Sequence, residues 1–173
     1  METAVDCRET SPEADLVSLL MERGLTISTA ESCTGGMISA RLVNIPGASQ
    51  VFEQGMVTYS NEAKMRLLGV KEETLKEFGA VSPQTAEEMA AGGAKAAGTD
   101  LCLSVTGIAG PGGGSAEKPV GLVYMACCLK GRTVTERWQF SGSRKEVREQ
   151  SAVRAMELAR RTILADSKEE RVK

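Results

Sequence analysis

The 173-residue sequence contains no histidine. That absence excludes Ser-His-Asp and Cys-His catalysis within the chain and removes the commonest ligand for zinc, copper and non-haem iron. Any general base must be a lysine, tyrosine, aspartate or glutamate. Aromatic residues are scarce, at 3%, so Ala, Val, Leu and Met must fill the core. Neither sign of charge dominates: the formal net charge is -2, and the Lys and Arg residues are scattered, without the basic stripe that tracks nucleic acid. No run of about 18 apolar residues is present, and "METAVDCRET" has neither the basic nor the apolar region of a signal peptide. These absences lead us to expect a cytoplasmic protein that engages neither nucleic acid nor membrane. There is no C-x-x-C pair either. The cysteines Cys7, Cys33, Cys102, Cys127 and Cys128 are odd in number and do not suit a disulfide framework. We expect reduced thiols, with Cys127 and Cys128 acting as small buried hydrophobes.

What is present has the length and the hydrophobic content, 42%, of one ordinary domain. Ser11, Pro12 and Gly24 bracket a helix that buries Leu16, Leu19 and Leu20. "LTIST" reads as a buried strand, and "TGGMISARLVNIPG" as a helix with Met37, Ile38, Leu42 and Val43 inward. "FEQGMVTYS" reads as a second strand. It is followed by a helix over "NEAKMRLLGV", capped by Ser60 or Asn61 and burying Met65, Leu67 and Leu68. Ser82 and Pro83 open a further helix, whose Gly92-Gly93 pair implies close packing against a neighbour. "DLCLSVTG" is a third strand, "VGLVYMACCL" and "TVTERWQF" a hairpin, and "SRKEVREQSAVRAMELARRTILAD" a long helix with Val147, Met156 and Ile163 inward. The expected fold is a single α/β domain over residues 11–166, a mixed sheet flanked by helices, with a flexible start (1–10) and a charged, frayed tail (167–173).

In such folds ligands collect where loops leave the carboxyl ends of strands. Three loops qualify: Ala30 to Gly36, Tyr59 to Lys64, and Thr106 to Gly114. The glycine loop fits neither the P-loop nor the dinucleotide fingerprint, since no Lys follows Gly112 and the position three after it is Ser115. Ser32 reads either as a helix cap or as a nucleophile whose oxyanion would meet the N–H groups of Thr34, Gly35 or Gly36. Cys33 is a rival that lacks a histidine partner. Lys64 reads either as a solvated helix lysine or, in an early helical turn where the positive end of the helix dipole disfavours the ammonium, as the base that deprotonates Ser32, with Tyr59 assisting proton transfer or orienting the pair. Thr106 either satisfies a turn or bonds the Ser-Lys pair or the substrate. Arg144 and Arg148 either face solvent or bind a phosphate or carboxylate.

With "TAESCTGG", "GMVTYSNEAKMRLLGV", "GAVSPQTAEEMA", "TGIAGPGGG" with "KPVG", and "FSGSRKEVR" in order, the sequence resembles the CinA carboxy-terminal domain family, whose members bear competence/damage-inducible names. The resemblance implies hydrolysis of the carboxamide of nicotinamide mononucleotide to nicotinate mononucleotide and ammonia, without metal or other cofactor, in the recycling of pyridine nucleotides. It also implies an α/β domain that self-associates into a homo-oligomer. It places the catalytic serine on Ser32 and the lysine on Lys64, with Tyr59 and Thr106 as accompanying polar residues. Thr34, Gly35, Gly36, Gly107 and Arg144 are then the expected substrate-binding positions. Many relatives carry an additional amino-terminal domain resembling molybdopterin-binding proteins, which is not expected here. The competing expectation is a non-catalytic module that binds a nucleotide or a partner through the glycine loop and Arg144.

Overall fold

The computed structural model describes residues 11–170, with side chains to 166. The chain runs α1 (Pro12–Arg23), β1 (Ile27–Glu31), α2 (Met37–Val43), a 3-10 turn (Ala48–Gln50), β2 (Phe52–Val57), α3 (Asn61–Leu68), α4 (Glu72–Phe78), α5 (Pro83–Ala97), β3 (Leu101–Gly107), β4 (Leu122–Leu129), β5 (Arg132–Gln139) and α6 (Arg144–Glu170). The helix starts follow the capping chemistry of the sequence. The hydroxyls of Ser11, Ser60 and Ser82 accept from the amides of Ala14, Ala63 and Thr85, and so satisfy donors that the first helical turn leaves unpaired.

The five strands form one sheet in the order β2-β1-β3-β4-β5. β1 is parallel to both β2 and β3, whereas β3, β4 and β5 are joined antiparallel. Lys130 and Gly131 make the tight β4–β5 turn with φ of 49° and 80°, the two positive angles that a two-residue hairpin of matching twist requires. The expected mixed sheet between helical layers is therefore the architecture.

Side-chain alternation separates two cores. On one face Leu101, Leu103 and Val105 of β3 join Val123, Met125 and Cys127 of β4 under α1, α2 and α6, where Leu16, Leu42, Val147, Met156 and Ile163 are buried. On the other face the strands present Ala30, Cys102, Ala126 and Cys128, and α5 lays Ala86, Met89 and Ala90 onto them. Small residues on both sides let α5 approach closely. A Cβ on Gly93 would come within 2.5 Å of the Cys102 sulfur, and one on Gly92 would strike the Leu68 carbonyl of α3. This is the close contact that the glycine pair implied.

Several expectations need correction. The segment over α4 was not anticipated as a helix: it lacks a side-chain cap and buries only Thr74 and Leu75. α2 starts at Met37, three residues later than expected, because Gly35 and Gly36 adopt φ of 60° and 92°. Val43 and Leu67 are exposed rather than inward, each at the rim of a short helix. α6 continues past Asp166 to Glu170, where a frayed tail was expected. The expected flexible start, residues 1–10, lies outside the described residues.

The chain enters β1, passes through α2 on one face into β2, and returns through α3, α4 and α5, with α5 against the opposite face, to β3 on the other side of β1. Connections that leave neighbouring parallel strands in opposite directions open a crevice at the carboxyl ends of those strands. That rule assigns the crevice to the carboxyl ends of β1 and β3.

Candidate active site

Ser32 follows the last residue of β1, and its amide donates to Val105 O at 3.0 Å, extending the ladder toward β3. Thr58 follows β2 and donates to Glu31 O at 2.8 Å, extending the ladder on the other side. Both residues are thus fixed by sheet hydrogen bonds at the carboxyl edge. Lys64, the fourth residue of α3, sends its side chain back to this edge, where Nζ donates to Ser32 Oγ at 3.0 Å and to Thr58 O at 2.8 Å. Its relative exposure is 1% and that of Ser32 is 9%. Both hydrogen bonds of the amine go to neutral oxygens, so burial of the ammonium is not offset by a bonded carboxylate. Desolvation lowers the Lys64 pKa from its ordinary 10.5, with the nearby Cys33 opposing the shift. The early position in α3 acts in the same direction as burial.

The loop after Ser32 is built from two consecutive turns. Gly35 N donates to Ser32 O at 3.1 Å, and Met37 N to Thr34 O at 3.2 Å. The second turn has positive φ at both central residues, Gly35 and Gly36, which glycine adopts without the Cβ penalty. Glu31, wholly buried, closes the loop from below. Its carboxylate accepts from Gly36 N at 3.0 Å, Ile38 N at 3.1 Å, Ser39 N at 2.9 Å and Ser39 Oγ at 2.7 Å. Glu31 therefore fills the start of α2, and Ser32 is not its cap. Of the three amides expected as alternative oxyanion donors, those of Gly35 and Gly36 are engaged within the loop, on Ser32 O and Glu31, which leaves that of Thr34. The sequence reading missed Glu31, although an acidic residue just before a helix start is a legible signal.

Cys33 is buried, and desolvation pushes its thiol up to about 12. Burial thus disfavours the thiolate that a cysteine nucleophile needs. Arg148 of α6 reaches over the same loop, donating from Nε to Cys33 O at 3.1 Å and from Nη2 to Thr34 O at 2.8 Å. Arg144, one turn earlier, donates to Gly110 O at 2.9 Å and to the Tyr59 hydroxyl at 2.8 Å, bringing together the β2–α3 loop, the glycine loop and the start of α6. Tyr59 is 62% exposed, and its hydroxyl is bonded to Arg144 rather than to the Ser-Lys pair. Thr106 is also bonded elsewhere: its hydroxyl donates to Ala80 O at 2.7 Å, tying β3 to the segment between α4 and α5. Gly107 closes β3 opposite Val123, where a Cβ would press on Leu122 O and the Val123 side chain.

The model of the CinA C-terminal domain matches residues 9–163. The chain belongs to the CinA C-terminal domain family. This CinA domain is 54% identical over 156 residues to a CinA-like protein of Kosmotoga olearia, an alignment that covers 90% of the chain and 38% of the relative. It thus spans well under half the length of such curated relatives. Its fold is similar to the crystal structure of competence/damage inducible protein CihA from Agrobacterium tumefaciens, with TM-score 0.83 and 45% identity over 85% of this chain and 90% of that one. A CinA superfamily protein from Klebsiella pneumoniae aligns with TM-score 0.86 at 34% identity, covering 89% and 96% of the respective chains. Among the described residues of this CinA domain, no group of three or more Cys, Asp or Glu is placed to hold a metal ion, and no helix is long and apolar enough to cross a membrane.

Proposed function

We propose that this CinA domain hydrolyses the carboxamide of nicotinamide mononucleotide, with Ser32 as nucleophile and Lys64 as its base. The observation that carries the reading is the buried 3.0 Å contact between Lys64 Nζ and Ser32 Oγ, with the amine's other hydrogen bond on a backbone carbonyl rather than a carboxylate. Burial of the amine favours its neutral form, and a serine hydroxyl needs such a neighbour when no histidine exists. With the amine neutral, the Ser32 O–H donates to the Nζ lone pair, and one amine N–H stays on Thr58 O.

Ser32 Oγ adds to the amide carbon while its proton passes to Lys64. The carbonyl π electrons move onto oxygen, which the Thr34 N–H stabilises. Collapse breaks the C–N bond, and Lys64 returns the proton to the departing nitrogen, releasing ammonia and leaving an ester on Ser32. Water then repeats the sequence, with Lys64 taking its proton and giving one to Ser32 Oγ, to release nicotinate mononucleotide. The exposed Arg144, steadied by Tyr59 and Gly110, suits the substrate phosphate, whereas Arg148 is occupied by the loop carbonyls.

The deciding experiment measures ammonia release from nicotinamide mononucleotide by the wild type and by Ser32→Ala, without added metal. Turnover abolished in the variant supports the proposal. Thermal stabilisation by the nucleotide with no product formed by the wild type identifies a binding module instead.

A further inference from the structure

We infer that Arg148 is a positioning residue for the reaction proposed above: by holding the Cys33 and Thr34 carbonyls it sets the direction of the Thr34 N–H as the loop's donor to the oxygen of the reacting carbonyl. The inference rests on the Ser32 amidase reading for its substrate, though not for its geometry.

The Cys33–Thr34 peptide is trans, so its carbonyl and its N–H point in opposite directions. Nε of Arg148 takes that carbonyl at 3.1 Å, and the Thr34 N–H accordingly faces away from the guanidinium. Nη2 takes the next carbonyl, Thr34 O, at 2.8 Å, so one planar fork fixes two successive peptides. The following amides are spent, Gly35 N on Ser32 O and Gly36 N on Glu31. Clamped from one side by Arg148 and from the other by Glu31, the loop keeps the Thr34 amide as a donor with a set direction. The Thr34 side chain adds a second observation at this point: its hydroxyl is buried and without a hydrogen-bond partner among the described residues. A buried donor left unpaired in the resting site suits a group that becomes charged only during reaction. A Cβ on Gly35 would stand 3.4 Å from Arg148 Nη2, which shows how closely the guanidinium lies against the loop.

Arg148→Ala and Arg148→Lys test the role; the lysine keeps the charge and loses the fork that spans two carbonyls. Both variants are compared with wild type by thermal denaturation, by steady-state ammonia release, and by 11B NMR with pyridine-3-boronic acid. In that probe Ser32 Oγ adds to the empty boron orbital and its proton passes to Lys64, giving a tetrahedral adduct that needs no leaving group. The expected result is a fall in kcat of about 100-fold in both variants with KM within about twofold, and boronate affinity reduced in parallel. Unchanged kcat with a raised KM would make Arg148 a substrate anchor and overturn the inference. So would an equal adduct in wild type and Arg148→Ala. If the wild type releases no ammonia from nicotinamide mononucleotide but forms an Arg148-dependent boronate adduct, the substrate reading fails and the positioning role stands.

Discussion

The Lys64 amine lies 3.0 Å from the Ser32 hydroxyl oxygen although the two residues are 32 positions apart and belong to different layers of the fold. The strand edge fixes the serine, the packing of α3 against α5 fixes the lysine, and the second bond of the amine, to Thr58 O, sets its direction.

Lys64→Met removes the base and keeps the volume. Ammonia release should fall by about 10³-fold, while the melting temperature at neutral pH should rise, because a buried amine is exchanged for an apolar group. The sign of the pH dependence follows from the lowered pKa in the folded protein. Between that value and the ordinary 10.5 the unfolded chain holds the proton and the folded one does not, so wild-type stability gains on the variant as pH rises through this window. Activity should rise through the lower end of the same window, as Lys64 becomes neutral. Stability and kcat/KM measured against pH, side by side, check both statements.

Cys33→Ala should retain most of the activity. The thiol is pushed up to about 12 by burial, so at neutral pH it is protonated and shielded. Iodoacetamide followed by mass spectrometry should leave Cys33 unmodified in the folded protein and label it after unfolding. Loss of activity in Cys33→Ala with the fold intact would move the nucleophile from Ser32 to Cys33.

How much of this was legible in the sequence can be argued from particular residues. Caps, strand alternation and the absence of histidine are local signals, and they led to the α/β sheet and to Ser32 and Lys64 as candidates; it was the resemblance to the CinA family that joined the two as a catalytic pair. The contacts that the sequence did not show depend on partners distant in the chain. Thr106 is polar at a strand end, yet its bond to Ala80 depends on where the α4–α5 segment passes. Tyr59 stands next to the lysine helix, yet Arg144, 85 residues later, takes its hydroxyl. Glu31 lay within the most conspicuous motif and was passed over because Ser32 beside it offered a simpler cap. α4 escaped notice because a short helix with little buried surface carries little periodicity.

Glu31→Gln replaces an acceptor of four hydrogen bonds by a group with one acceptor oxygen and an amide that cannot accept from N–H. A stability loss of about 2–3 kcal/mol is expected from bonds to a charged group left unmade, and kcat should fall because the Ser32 loop loses its lower clamp. Urea denaturation and the ammonia assay measure the two effects. A variant as stable and as active as wild type would show that the loop holds its shape without the carboxylate.

Gly92→Ala tests whether helix packing, rather than helix propensity, governs α5. Propensity alone predicts a gain of about 1 kcal/mol for replacing glycine within a helix. The added Cβ, however, would run into the Leu68 carbonyl at the end of α3, a backbone atom that cannot turn aside as a side chain would. Overpacking of this kind costs about 1–3 kcal/mol, so the net result should be destabilisation. The displacement also reaches the site, because α3 carries Lys64 and the amine must stay within hydrogen-bond distance of Ser32. A lowered melting temperature together with reduced kcat and little change in KM is the expected outcome; a more stable and equally active variant would show that α3 and α5 can separate without moving the lysine.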